Sequence, residues 1–225
     1  MTTVMPCNSK CFICGSNEEY EVIASTNSFG PTDLDTRPPE MKRSTMYLWV
    51  HTCPVCGYTA VDVSDETTVN REFLNSEAYR SCDGIAFASD LAKAFYRHYM
   101  ILMMEDNEEK AFWALLHAAW ASDDKRDESG AASARGKAIA MAGRLLERQT
   151  LKWADTLSLI RADMLRRVSR FDELLEKYED VKFDQGLLNQ IIEFEKELAR
   201  TKITRCMTVQ DAIDYAEGRF DWDKA

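Results

Sequence analysis

The spacing of apolar positions changes character near Asp65. Before it, apolar residues gather in short runs at residues 20–24, 46–50 and 59–63, and their alternation and β-branched or aromatic content predict three strands. All five prolines, Pro6, Pro31, Pro38, Pro39 and Pro54, lie in this segment, where they mark turns rather than helices. Residues 26–43 read as a long loop between the first two strands, carrying Gly30-Pro31 and Arg37-Pro38-Pro39. Its length and prolines make it the expected first point of proteolysis.

Beyond Asp65 the period becomes helical. The pattern predicts a short helix over residues 69–79, a break at Cys82-Asp83-Gly84, and a long helix over residues 86–104 with Leu91, Phe95, Tyr99 and Leu102 on one face. The next helix carries Phe112, Leu115, Leu116, Ala119 and Trp120, and a small-residue helix presents Ala134, Ala138, Met141 and Leu145. Trp153, Leu157, Ile160, Met164 and Val168 make the cleanest stripe in the chain. Phe171, Leu174, Leu175 and Tyr178 open a partner helix, Leu187, Ile191, Phe194 and Leu198 mark another, and a last short helix falls over residues 209–217. Each stripe is about 100° wide, as for a helix packed on neighbours. Short connections between them imply antiparallel hairpins. The expected fold class is α+β, mostly α, with a small β domain at residues 1–65 and a helical domain at residues 66–225.

The cysteines add chemistry to the first of these parts. Cys11-Phe12-Ile13-Cys14-Gly15 and Cys53-Pro54-Val55-Cys56-Gly57 are two copies of one local device. Two intervening residues let both sulfurs of a pair reach one ion from a tight turn. The following glycine can take a positive φ, which turns backbone N–H groups toward the sulfurs. Cys11, Cys14, Cys53 and Cys56 together supply four thiolates, the closed tetrahedral set of a structural zinc site in a ribbon-like β domain. One zinc ion per chain is the expected cofactor, with iron the alternative. Cys7 and His51 lie near the knuckles but outside their spacing, and both read as bystanders. Cys82 and Cys206 fall in helical country and read as core or partly exposed thiols.

Charge and the remaining side chains narrow the function. The formal net charge is −10, which disfavours general nucleic-acid binding. Residues 125–170 nevertheless hold 11 Lys+Arg against 5 Asp+Glu, and residues 171–225 hold 8 against 14. Two solvated helix faces that partly neutralise each other account for this asymmetry, and a nucleic-acid-binding role is its sharper alternative. Four cysteine ligands leave no open position for a catalytic water. The three histidines, His51, His98 and His117, belong to no recognisable catalytic grouping, and no Gly-rich phosphate loop or GxSxG appears. No enzyme is expected. The most function-like polar cluster is Asp33-Leu34-Asp35-Thr36-Arg37, whose plainer reading is a loop tied down by its own side chains. No apolar run approaches the roughly 18 residues needed to span a bilayer. Residues 1–7 lack a charged segment followed by an apolar one, so a cytoplasmic protein is expected.

The order of parts resembles a bacterial family of uncharacterised proteins in which a four-cysteine zinc ribbon precedes tetratricopeptide-like helices. The resemblance covers roughly residues 10–146 and rests on the two knuckles, on Tyr58 after the second, and on Leu115-Leu116-His117-Ala118-Ala119-Trp120. Ala111, Leu115 and Ala118 also match the small–large–small positions of a tetratricopeptide second helix, and Ala162, Leu165, Phe171 and Tyr178 match positions across another repeat. Ser169 and Leu174 depart from the repeat pattern, and no strict period joins the two copies. The resemblance implies no reaction. It implies an adaptor or scaffold that binds a protein or peptide partner through its helices. The paired knuckles also resemble rubredoxin, which implies electron transfer at iron, but the helical region is foreign to that family.

Overall fold

The computed structural model describes residues 1–148 and 151–224, which form two compact units. The first comprises residues 1–28 and 40–138, and the second residues 29–39 and 139–225. This division does not follow the expected boundary at Asp65. The cysteine-bearing segment shares a unit with the first helices, while part of the long loop belongs to the second unit.

In the first unit, β1 (Thr3–Lys10) and β2 (Asn17–Ser25) pair as an antiparallel hairpin, with an irregularity between Thr3 and Val4. None of its residues is fully buried, so the hairpin is held mainly by its own ladder. The sequence pattern missed β1 because Pro6 and Cys7 interrupt it; an edge strand tolerates a proline that a central strand would not. A second antiparallel pair, β3 (His51–Thr52) and β4 (Thr59–Ala60), brackets the second knuckle.

The run at residues 46–50 is not the expected strand. Arg43–Leu48 is a 3-10 helix, with Thr45 Oγ1 bonded to the Lys42 carbonyl at 2.7 Å and Trp49 Nε1 donating to Thr45 Oγ1 at 3.0 Å. Met46 and Leu48 are buried as the strand reading required, but they are buried from a helical turn. Strand propensity describes how side chains fit a pleated surface, and it yields when local hydrogen bonds and burial favour a turn.

The expected helix over residues 69–79 is two short ones, α1 (Arg71–Asn75) and α2 (Glu77–Ser81). Ser76 ends the first with ψ near 148° and caps the second, its side chain accepting from the Tyr79 amide. The unit's core lies on the hairpin of α3 (Asp90–Met104) and α4 (Glu108–Asp124), capped by Ser89 and Asn107. Phe95, Tyr96, Ile101, Phe112, Leu115, Leu116 and Trp120 are all almost wholly buried there. Each such side chain contributes about 1.5–3 kcal/mol relative to exposure. Helix α5 (Glu128–Leu146) begins in this unit, where Arg135 forms an ion pair with Asp123.

The second unit is built from α6 (Ala154–Arg167), α7 (Phe171–Tyr178), α8 (Gly186–Arg200) and α9 (Val209–Ala216). Leu157, Ile160, Met164, Leu165, Leu174, Phe194 and Leu198 are buried, as the apolar stripes require. A polar cluster is buried with them. Arg166 donates from Nε to Glu195 at 2.6 Å and from a terminal nitrogen to Asp163 at 2.6 Å, and its other terminal nitrogen reaches the carbonyls of Ile203 and Arg205 at 2.9 and 2.8 Å. Burial pushes the Glu195 carboxyl up to about 8, opposed by the charge of Arg166.

Residues 29–39 dock on this helical unit. The Leu34 amide donates to the Met207 carbonyl at 2.9 Å, the Val209 amide donates to the Thr32 carbonyl at 2.9 Å, and Arg167 approaches Asp35 at 3.5 Å. Asp33, Leu34, Asp35 and Arg37 are buried. The polar cluster in the loop is therefore an anchor, in line with its plainer reading, and its inner residues are a poor target for proteolysis. Among the described residues, no helix is long and apolar enough to cross a membrane. The chain is mostly helical with short antiparallel strands toward its N-terminus, as the pattern predicts.

Candidate metal centre

Both knuckles adopt the same backbone. The Gly15 amide donates to the Cys11 carbonyl at 2.8 Å, and the Gly57 amide to the Cys53 carbonyl at 2.9 Å. Each turn is then closed from the other side, by the Cys11 amide to the Ser16 carbonyl and by the Cys53 amide to the Tyr58 carbonyl, both at 2.8 Å. Gly15 and Gly57 have φ of +75° and +78°, the left-handed conformation that favours glycine. The spacing therefore specifies the turn. The flanking pairs β1–β2 and β3–β4 supply ends to which the turns are attached.

The turns bring the four sulfurs of Cys11, Cys14, Cys53 and Cys56 within 4.8 Å of one another. The contacts cross between knuckles: Cys11 to Cys56 and Cys14 to Cys53, each with Sγ atoms 3.6 Å apart. All seven cysteines are free thiols, so none of these contacts is a disulfide. Four sulfurs held about 2.3 Å from one ion in a tetrahedron lie about 3.8 Å apart along its edges. The two cross-knuckle contacts are close to that edge, so the residues present fit a four-coordinate metal ion.

The electrostatics favour a cation at this point. Burial pushes the Cys11 and Cys56 thiols up, opposed in Cys11 by backbone hydrogen bonds from the Cys14 and Ile13 end of the turn. Cys14 is drawn down to about 6, first by the Ser16 hydroxyl. Four thiolates in this space repel one another, and a divalent cation supplies the charge that stabilises them together. Cys11 and Cys53 are almost wholly buried, and Cys14 and Cys56 are partly exposed.

Two contributors were not singled out in the sequence. The Ser16 hydroxyl lies 3.2 Å from Cys14 Sγ and 3.3 Å from Cys53 Sγ, bridging the knuckles. Its position directly after Cys-x-x-Cys-Gly was the available signal. Tyr79, on α2, reaches the second knuckle at Gly57, and only the fold could reveal that contact. Cys7 and His51 stand outside the four-sulfur group, as expected. Cys7 sits in the hairpin opposite Tyr20, and the His51 ring lies 5.1 Å from that of Tyr20.

The remaining sequence candidates are placed elsewhere. His98 is half-buried on α3 with Nδ1 3.2 Å from the Thr59 carbonyl, and desolvation pushes it down to about 4. His117 lies among the rings of Trp49, Phe95 and Trp120, with centroids 5.0–5.1 Å away. Part of the basic stretch at residues 125–170 is neutralised by ion pairs. Arg135, Arg161, Arg166 and Arg167 are each paired with carboxylates, those of Asp123, Glu173, Asp163 with Glu195, and Asp35 respectively. No protein-family model, curated protein or solved structure matches the chain. The likeness to a zinc-ribbon and tetratricopeptide-like family thus rests on the residues quoted above.

Proposed function

We propose that this chain is a zinc-stabilised scaffold or adaptor whose helices bind a protein partner. The observation that carries the reading is the closed set of four sulfurs. Cys11, Cys14, Cys53 and Cys56 fill all four positions of a tetrahedral ion, so the metal acts on folding rather than on a substrate. Zinc is favoured over iron because a closed thiolate site suits a redox-inert structural ion, and because the centre is built into a unit with extensive helical packing. The antiparallel pair of α3 and α4 supports a tetratricopeptide-like role, since stacked helical hairpins commonly present peptide-binding faces. A cytoplasmic bacterial adaptor without catalytic activity fits this picture.

Elemental analysis of the full chain, purified without added metal, tests the ion. One zinc per chain in a colourless sample supports the reading. A coloured sample with stoichiometric iron replaces it with the rubredoxin-like electron-transfer alternative. Pull-down from native extract with the metal-loaded chain tests the adaptor role, with recovery of a defined protein partner at constant stoichiometry as the supporting result. Recovery of nucleic acid in a salt-sensitive manner would favour the ribbon's regulatory alternative.

A further inference from the structure

A cavity of about 330 Å³ lies beside the second knuckle, within the first unit. Val55, Cys56 and Gly57 form one wall, and α1 and α2 form another through Arg71, Leu74, Asn75, Tyr79 and Arg80. Arg97, from α3, completes it. Three arginines thus line one small space in a chain whose net charge is −10.

Their pairing sets them apart from the arginines of residues 125–170. Arg80 is bonded to the neutral side chain of Asn75, and Arg97 donates to the Arg80 carbonyl at 2.9 Å and lies over the Tyr79 ring, 5.8 Å from its centroid. Among the described residues, no salt bridge engages Arg71, Arg80 or Arg97. Each of the buried or half-buried arginines of the basic stretch has a carboxylate partner; these three share a cavity instead.

We infer that this cavity binds a small phosphorylated molecule, with its phosphate held by Arg71, Arg80 and Arg97. Guanidinium groups present planar, paired N–H donors that match phosphate oxygens and remain charged at every physiological pH. Tyr79 holds Arg97 by its ring, which limits the freedom lost when an anion binds. Leu74 and Val55 offer apolar contact for the organic part of the ligand. The volume is at the small end of the roughly 300–1,000 Å³ range of ligand pockets, which suits a compact phosphate monoester rather than a polymer. The wall also contains Cys56, a ligand of the candidate metal centre, and a divalent ion with four thiolates carries a net charge of −2. The arginines therefore have a plainer possible task, that of balancing the metal centre, and the experiment must separate the two.

The metal-loaded full chain is titrated by calorimetry with inorganic phosphate and with a short-chain phosphate monoester, at constant ionic strength set by chloride. The same titrations are made on the Arg71→Gln/Arg80→Gln double variant, whose altered residues are exposed and leave the packing on Tyr79 intact. The expected result is saturable binding of both probes, tighter for the monoester, and weakened at least about tenfold in the variant while metal content and circular dichroism stay unchanged. Absence of saturation in the parent overturns the inference. So does a variant that loses metal but binds phosphate as before, since the arginines would then serve the metal centre alone. Binding of single-stranded DNA that phosphate monoester fails to displace, and that the variant loses, overturns it in favour of a nucleic-acid contact.

Discussion

The hydroxyl of Tyr79 donates to the Gly57 carbonyl at 2.7 Å and lies 3.2 Å from Thr59 Oγ1, which joins α2 to the backbone of the second cysteine knuckle. Tyr79 is almost wholly buried, so these groups have no water to turn to. Tyr79→Phe should cost about 1–3 kcal/mol, the cost of leaving a buried acceptor without its donor. It should also speed transfer of zinc to a chromophoric chelator. A denaturation midpoint and a chelator time course, both compared with the parent, check this. Unchanged zinc release would separate the tyrosine from the metal centre.

The same contact changes what metal loss should do. Knuckle, α1, α2 and the α3–α4 hairpin belong to one compact unit. Cys56→Ser should therefore weaken more than the β segments, with a loss of about 3 kcal/mol or more across the unit. Hydrogen exchange read by mass spectrometry is the measurement. Protection should fall at residues 51–60 and also at residues 71–104, while α8 serves as an internal reference. If only residues 1–65 lose protection, the cysteine-bearing segment is an independent domain after all.

Arg166, Asp163 and Glu195 are all almost wholly buried, with two carboxylates on one guanidinium. Arg166→Met leaves those carboxylates without a counter-charge and should cost about 3–5 kcal/mol. Glu195→Gln should be milder, since burial already favours the neutral form of the Glu195 carboxyl and the amide keeps an acceptor for Nε of Arg166. Urea midpoints of the two variants, measured near pH 7, should rank in that order. The reverse order would mean that the charge of Glu195 sustains the cluster.

His98 gives the protein a dependence on acid. Its folded-state value is held down to about 4 by burial, against about 6.5 for an exposed histidine. Between those values the unfolded chain binds the proton and the folded chain does not. Stability of the first unit is therefore lost as pH falls from about 6.5 toward 4, at up to about 1.4 kcal/mol per pH unit from this group. His98→Gln should flatten that part of the profile relative to the parent. Thermal melts at a series of pH values, taken as differences between the two proteins, isolate the histidine from the acid sensitivity of the thiolates. A parallel pair of profiles would show that His98 does not titrate there.

Much of this was legible in the sequence because it is local. Cys-x-x-Cys-Gly dictates its own turn, and the positive φ of Gly15 and Gly57 is the conformation the motif requires. The helical stripes were legible for the same reason, since residues three and four apart share a face wherever a helix is packed. What escaped depended on distant partners or on local side-chain bonds that compete with the regular pattern. Residues 46–50 had strand composition but pair with no strand, and local bonds from Thr45 made a 3-10 turn. Ser76 split a helix by serving as the end of one and the cap of the next. Arg71, Arg80 and Arg97 are spread over three helices, so their convergence had no signature in spacing. Asp35 could not announce that its partner, Arg167, lies more than a hundred positions later.

That last separation bears on how the chain is made. Residues 29–39 are synthesised early, yet Met207 and Val209, whose backbones hold them, come about 175 positions later. At about 5–20 residues per second, the segment waits roughly 10 to 35 s on the ribosome before its docking surface exists. Throughout that interval its two ends, Ser28 and Glu40, belong to a unit that can already be assembling around the cysteines. The early unit must therefore close with an eleven-residue excursion left outside it. A gene truncated after residue 138 would produce that excursion with nothing to receive it, and one begun at residue 139 would produce helices lacking the segment that packs on them. Either half expressed alone is incomplete, because the chain passes from one unit to the other three times.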